Sequence, residues 1–410
     1  MPWSFELSLL AFLLIVFASQ SLAIATKSRI SLPLALGALC VAGFALGVLP
    51  KDFVSASRMR DVGFIAFNVL IVHSGTLLDF KSLRARRGAV AIGLACAAAL
   101  AVVLGLGMSP VVGREAALLS IGPVVGGGAA CAIASNSAIR KLPGLAALPW
   151  MIFMAQGFFG LPLFAFATRK EAGRLAALRA SGTTAGSGAA AQPRAGARVS
   201  ADSASVAAGL APSRAPLCER IPGRYRTISY YLAALMLVAV FNRWLYGAVF
   251  MRLGVHPALT GLVLGALLAR LGILERDPLV KSGAMGFLML GLMALMADSL
   301  AATPPGVVLA LAGPTLAVLA VGASVVGLVG AALGKRFAGS AYRGLAIASA
   351  CMISMPPPMV VARGVIGSVS ADDGTRAAIE AELAPDVEAA SALVTNFAAI
   401  AIAGLVGILL

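Results

Sequence analysis

Apolar positions in this chain come in long blocks separated by short polar stretches. The blocks cover residues 5–25, 32–50, 62–80, 88–108, 115–139 and 147–168, then 228–250, 256–273, 283–300, 307–333, 341–366 and 389–410. Most are long enough for a helix to cross a hydrocarbon core roughly 30 Å thick. None alternates with period 2, so the pattern predicts an all-α membrane protein and not a barrel.

Two blocks are badly made for a continuous span. "GPVVGGGAACAIASNS" (122–137) has four glycines, one proline and no charge. "ASACMISMPPPMVVARGV" (348–365) has three consecutive prolines. Glycine permits backbone angles that other residues avoid, and proline removes a backbone donor. Each block is therefore expected to break within the membrane.

The two halves of the chain match in order. "LPLALG" (32–37) resembles "HPALTG" (256–261), and "GVLPKD" (47–52) resembles "GILERD" (272–277). Gly63-Phe64 corresponds to Gly286-Phe287, and "GAVAIGLA" at 88 to "GVVLALAG" at 306. A broken block follows in each half. The expected units are an N-terminal repeat, 1–168, and a C-terminal repeat, 228–410. Between them lies 169–227, rich in Ala, Ser, Gly and Pro, with ten Lys/Arg against three acids, and expected to be a disordered linker.

Charge decides how the broken blocks cross. If 115–139 were a full span, the basic linker would fall outside, against the positive-inside rule. If the block enters and leaves on one side, each half has five crossings and the linker lies in the cytoplasm. The basic residues Lys27, Arg29, Lys81, Arg84, Arg86, Arg87, Arg276, Lys281, Lys335 and Arg336 then also lie inside. Arg140 and Lys141 fall outside, as a mild strain. An odd number of crossings inserts the second half upside down. Inverted repeats with discontinuous helices are an architecture of secondary transporters. Both termini are then expected outside, and the membrane is expected to be the plasma (inner) membrane. The first block lacks a basic leader, so it reads as a retained span and not a signal peptide.

Candidate binding groups follow from the breaks. Gly126, Gly127 and Gly128 allow close backbone approach, and helix ends at such a tip attract ions. Ser135 and Asn136 offer neutral oxygens suited to Na⁺ or a solute. In the second break Ser354 precedes Pro356, Pro357 and Pro358, which are expected to forbid a regular helix. Arg363 is either a contact for a substrate anion or a residue reaching the interface. Asn396 in the last block is a further polar ligand. Asp298, near the outer end of its block, could bind a cation or be an interfacial acid. Asn68, Gln156 and Thr395 read as polar groups joining helices. Trp150 and Trp244 read as interface anchors. The stretch 372–388, with six acids and one base, reads as a loop before the last span.

Composition narrows the classes. Of the 410 residues, 60% are hydrophobic and 12% charged, with net charge +15 and mean hydropathy +0.95. The positive charge fits the loops and anionic lipid better than nucleic acid. Five scattered cysteines and two isolated histidines, His73 and His256, give neither a disulfide framework nor a metal-ligand pair. No Walker loop, G-x-S-x-G or H-E-x-x-H occurs, so neither an enzyme nor an ATP-driven pump is expected, and no cofactor beyond a coupling Na⁺.

At the glycine tip the architecture resembles the sodium/glutamate symporter family. "GGGAACAIASN" (126–136) and "SMPPPMVVARG" (354–364) occupy the places of its two re-entrant loops. The resemblance implies two inverted five-helix repeats, a cytoplasmic linker, and glutamate carried inward on a sodium gradient by an elevator movement. The prolines of the second loop and the long linker depart from the family, leaving an anionic or amino-acid-like solute as the implied cargo. A cation/proton antiporter and, further off, a channel are the alternatives. The expected partners are the solute and the lipid bilayer, with a homodimer left open.

Overall fold

The computed structural model describes residues 3–26, 30–78, 80–181, 218, 221–251, 255–353, 357–369 and 372–410. Among them all regular structure is helical. The first half contains α1 (Phe5–Ala25), α2 (Leu32–Ala45), α3 (Phe53–Ala56), α4 (Met59–Thr76), α5 (Phe80–Ala85), α6 (Arg87–Val102), α7 (Ser109–Val112), α8 (Arg114–Val125), α9 (Gly128–Lys141) and α10 (Leu148–Ala180). The second half contains α11 (Ile228–Leu245), α12 (Pro257–Arg270), α13 (Pro278–Ser282), α14 (Met285–Ala301), α15 (Pro305–Phe337), α16 (Ala341–Ile353), α17 (Pro357–Val369), α18 (Asp373–Leu393) and α19 (Ala399–Leu409). Among the described residues six helices are long and apolar enough to cross a membrane. The chain is an all-α membrane protein.

Local chemistry sets the helix starts. Ser4, Thr227 and Asp372 accept backbone N–H bonds at N-caps, and His256 does so through Nδ1. Pro257 and Pro305 open α12 and α15, where a missing N–H costs nothing.

The matched segments after α2 and α12 fold alike. Gly47 and Gly272 both take left-handed angles, φ 69° and 72°. Val48 and Leu49 donate to Gly43 O, while Ile273 and Leu274 donate to Leu268 O. A short helix, α3 or α13, follows each, with Asp52 or Asp277 at the position just before its first turn. These two terminators use the same bonds at positions 225 residues apart, as the paired sequences "GVLPKD" and "GILERD" stand.

Packing sorts the helices into two groups. α1–α4 and α11–α14 pack mainly on one another, and α6, α8–α10 and α15–α19 form the second group. Within the first, α4 crosses α14 antiparallel: Gly63 lies against Gly291 and Leu295, and Arg60 reaches Asp298 at 3.3 Å. Within the second, α6 crosses α15 antiparallel, with Gly88 on Phe337 and Leu100 on Gly322. The seam between groups is thinner, made by Gly37 on Met154, Gly404 on His256 and α9 on α14.

Both broken blocks are helical hairpins. Gly113 and Arg114, where α8 begins, line one groove with Leu145, just past the end of α9. α16 and α17 both lie on α18: Arg343 near the start of α16 reaches Glu382 and Asp386, and Arg363 of α17 reaches Glu380.

Two boundaries differ from the sequence reading. α10 continues to Ala180, so 169–180 is helix and not linker; Glu171, Ala172 and Leu175 are buried there. Of the rest of the expected linker, 182–217 and 219–220 lie outside the described residues, and 221–227 leads into α11 through a single turn at Gly223–Tyr225. The acidic stretch 372–388 is not a loop but the start of α18, which runs through a π-helical turn, Val394–Ala398, into α19. Two of its acids are held by arginines from other parts of the chain: Asp386 takes Arg86 and Arg343, and Glu382 takes Arg179 and Arg343.

Candidate functional site

The first break is made by two glycines that no other residue could replace without strain. Gly126 has φ 142°, ψ 152° and Gly127 φ 88°, ψ 142°, regions that are essentially glycine's alone. Pro123 lies inside α8 and donates nothing to the turn before it. Beyond the break, the first N–H groups of α9 and the last carbonyls of α8 have no partner within their helices. The α8 limb has 12 residues and the α9 limb 14. At 1.5 Å per residue the tip therefore lies about 18–21 Å from the hairpin's open end. Gly128 packs against Leu292 of α14 and Phe153 of α10, so the tip touches both helix groups.

In the second block α16 ends at Ile353, which packs on Gly160 of α10, and α17 begins at Pro357. Ser354 and Pro356 lie outside the described residues. Pro357 and Pro358 do not forbid a helix, as the sequence suggested; they open α17, in the first turn where proline is tolerated.

One face of α10 thus reaches both breaks. Phe153, Gln156 and Gly160 fall at i, i+3 and i+7, a single stripe of a helix. Phe153 meets the first tip and Gly160 meets the residue before the second. Gln156 stands between them, 3% exposed, and its Oε1 has no hydrogen-bond partner. A buried amide oxygen without a donor is costly and unusual. Asn396 sits in the π-helical turn of the last span, half-buried. That turn packs against α4, α6, α8 and α16, hence against the first limb of each hairpin. Single π-turns inside α-helices leave a carbonyl unpaired and recur at functional sites. No family model matches this chain, and no curated protein sequence is similar to it.

The remaining expected residues separate into those near the junction and those elsewhere. Ser135 is buried but not open to a ligand: its Oγ donates to Ala146 O at 2.8 Å and lies 3.2 Å from Ser299 Oγ, tying α9 to α14. Asn136 is half-buried on the next position of α9. Arg363 is not at the junction. Its side chain is 68% exposed and its Nε donates to Glu380 at 2.6 Å. Asp298 is held by Arg60. Thr395 and Asn68 bond carbonyls one turn earlier in their own helices. Trp150 is not an interface anchor but a fully buried ring set edge-on to Phe153, whereas Trp244 is 65% exposed.

The segments that meet here carry no charge in sequence. None occurs between Glu115 and Arg140, between Arg343 and Arg363, between Leu148 and Thr168, or from Ala389 to Leu410. What the junction offers is neutral: carboxamides, backbone N–H and C=O groups at broken helix ends, and a dry surround. Gln156 reads from the sequence as a polar group joining helices, and in the structure its Oε1 joins none. Its signal would have been the i, i+3, i+7 stripe, which acquires meaning only once both breaks are known to lie along it.

Proposed function

We propose that this chain is a secondary active transporter of a small anionic or amino-acid-like solute, coupled to Na⁺ or H⁺. Its two halves are inverted five-span repeats, and each hairpin is re-entrant. The observation that carries this reading is the stripe Phe153–Gln156–Gly160, which takes the first tip at Phe153 and the end of α16 at Gly160, with a buried, unpartnered amide oxygen between them. Broken helices near the bilayer midplane expose the backbone groups that bind solute and coupling ion in such carriers.

Four further features support it. The terminators at Gly47 and Gly272 agree with an internal repeat. Packing is exchanged between halves: α10 lies on the hairpin α16–α17, while α19 lies on the hairpin α8–α9. The antiparallel crossings of α4 with α14 and α6 with α15 agree with inversion. The arginines Arg86, Arg179 and Arg343 gather at one end, in keeping with a cytoplasmic linker, and both termini then fall outside. Two helix groups joined by a thin seam favour an elevator movement of the group bearing both hairpins.

The test is uptake into proteoliposomes of labelled glutamate, other dicarboxylates and amino acids, with Na⁺ or pH gradients imposed and abolished. Gradient-dependent, saturable uptake of one of these is the expected result. Cation-for-proton exchange with no organic solute, or gradient-independent flux at channel rates, would overturn it.

A further inference from the structure

His73 stands apart from the junction along α10. It lies in the last turn of α4, 2% exposed, and neither ring nitrogen has a hydrogen-bond partner. An imidazole always carries at least one N–H, so such a ring has lost its water without replacement. Facing Nε2 at 3.5 Å is Oδ1 of Asp277, an oxygen that is also buried and also lacks a hydrogen bond. The Asp277 side chain as a whole is 42% exposed, so the carboxylate connects solvent to the ring.

Asp277 is held there by strained backbone. It caps α13 with φ 55° and ψ 48°, and among the described residues only Arg58 is another non-glycine with positive φ. α4 and α12 leave little room to adjust, because a methyl at Gly265 would stand 2.2 Å from Val72 O.

Among the described residues, the other charged groups around this corner have contacts of their own or lie apart from it. From the segment before α13, Glu275 is held by Arg226, Lys281 and the Tyr231 hydroxyl. Lys81, Arg270 and Arg276, which flank α4 and α12 in sequence, have contacts of their own. Of the elements packed on α4, α3 and the 394–398 turn carry no charge. On α14, Asp298 pairs with Arg60 near the opposite end of α4. On α9, Lys141 reaches Gly407 O, and Arg140 lies near His256. On α11, Arg243 lies in the last turn, past the Asn242 amide that bonds Pro257 O. Burial holds the Asp277 carboxyl above its ordinary value against the pull of Lys281.

We propose that His73 and Asp277 form a proton-binding site. One proton, delivered from water through the half-exposed carboxylate, is bound at Nε2, and the imidazolium N–H then donates to Oδ1. No other bond forms or breaks. A neutral ring can also turn its one N–H toward Oδ1; the added proton makes that bond charge-assisted, which holds the α12–α13 segment of one half more firmly to α4 of the other. The proposal is independent of the carrier reading.

The chain has two histidines, so the full-length protein labelled with 15N-histidine in detergent gives two sets of ring signals. H73Q assigns them; should it fail to fold, H256Q does. His73 is expected to become imidazolium with a midpoint above about pH 5, because the Asp277 carboxylate offsets the cost of burying the charge. D277N, whose asparagine tolerates the left-handed turn, should lower that midpoint by about one unit or more. A ring that stays neutral down to pH 5, or a midpoint that D277N leaves in place, would overturn the proposal.

Discussion

At the residue scale, the account rests on two glycines and an amide. Gly126 and Gly127 were legible in sequence, because no other use of Gly-Gly-Gly in an apolar block explains the loss of helix propensity. Their angles make the prediction sharp. Gly126→Ala and Gly127→Ala should each destabilise the protein by about 1–3 kcal/mol and abolish uptake. Gly144→Ala, where a methyl meets open space, should do neither. Thermal unfolding in detergent, set beside uptake, checks all three. Gln156 was not legible, since a lone polar residue in an apolar span more often joins helices. The two roles predict opposite signs. Replacing a buried, unpartnered amide by an apolar group of similar shape is neutral or stabilising. Gln156→Leu is therefore expected to keep or raise the melting temperature while lowering solute uptake at least about ten-fold, or about 1.4 kcal/mol. A fall in melting temperature with uptake unchanged would return Gln156 to a structural role.

At the element scale, the apolar blocks located the helices but not where helices stop. α1 coincides with its block, and the first broken block became α8 and α9. The errors arose where a helix is amphipathic or charged. The tail of α10 and the head of α18 carry charges that look like loop until their partners are placed. Arg343 reaches Glu382 at 3.1 Å and Asp386 at 2.7 Å, and its side chain is 15% exposed. Those partners lie 39 and 43 residues away in sequence, beyond any local pattern. Prolines misled in the same way: their cost depends on helix position, and the sequence does not give the register. Arg343→Gln would leave Arg86 and Arg179 to hold the two carboxylates. A destabilisation of about 1–3 kcal/mol is expected, shrinking as salt is raised in thermal melts. No change at low salt would mean that the cluster does not hold α16 to α18.

At the scale of the whole molecule, the central claim is that two hairpins enter the membrane from opposite faces and meet along α10. Internal matches and the charge of loops are what point to this topology, because the positive-inside rule acts on the chain as a whole. What no sequence pattern supplied was the division into two helix groups, which depends on glycine contacts such as Gly63 with Gly291. The most direct measurement is the sidedness of the hairpin ends. Single cysteines would be placed, in a background stripped of native cysteines, at Arg114 and Arg140 for the first hairpin. Tyr342 and Ser368 serve for the second; all four positions are exposed. A membrane-impermeant maleimide applied to right-side-out and inverted vesicles should label the first pair only from outside and the second pair only from the cytoplasm. Labelling of the two ends of either hairpin from opposite sides would contradict the account.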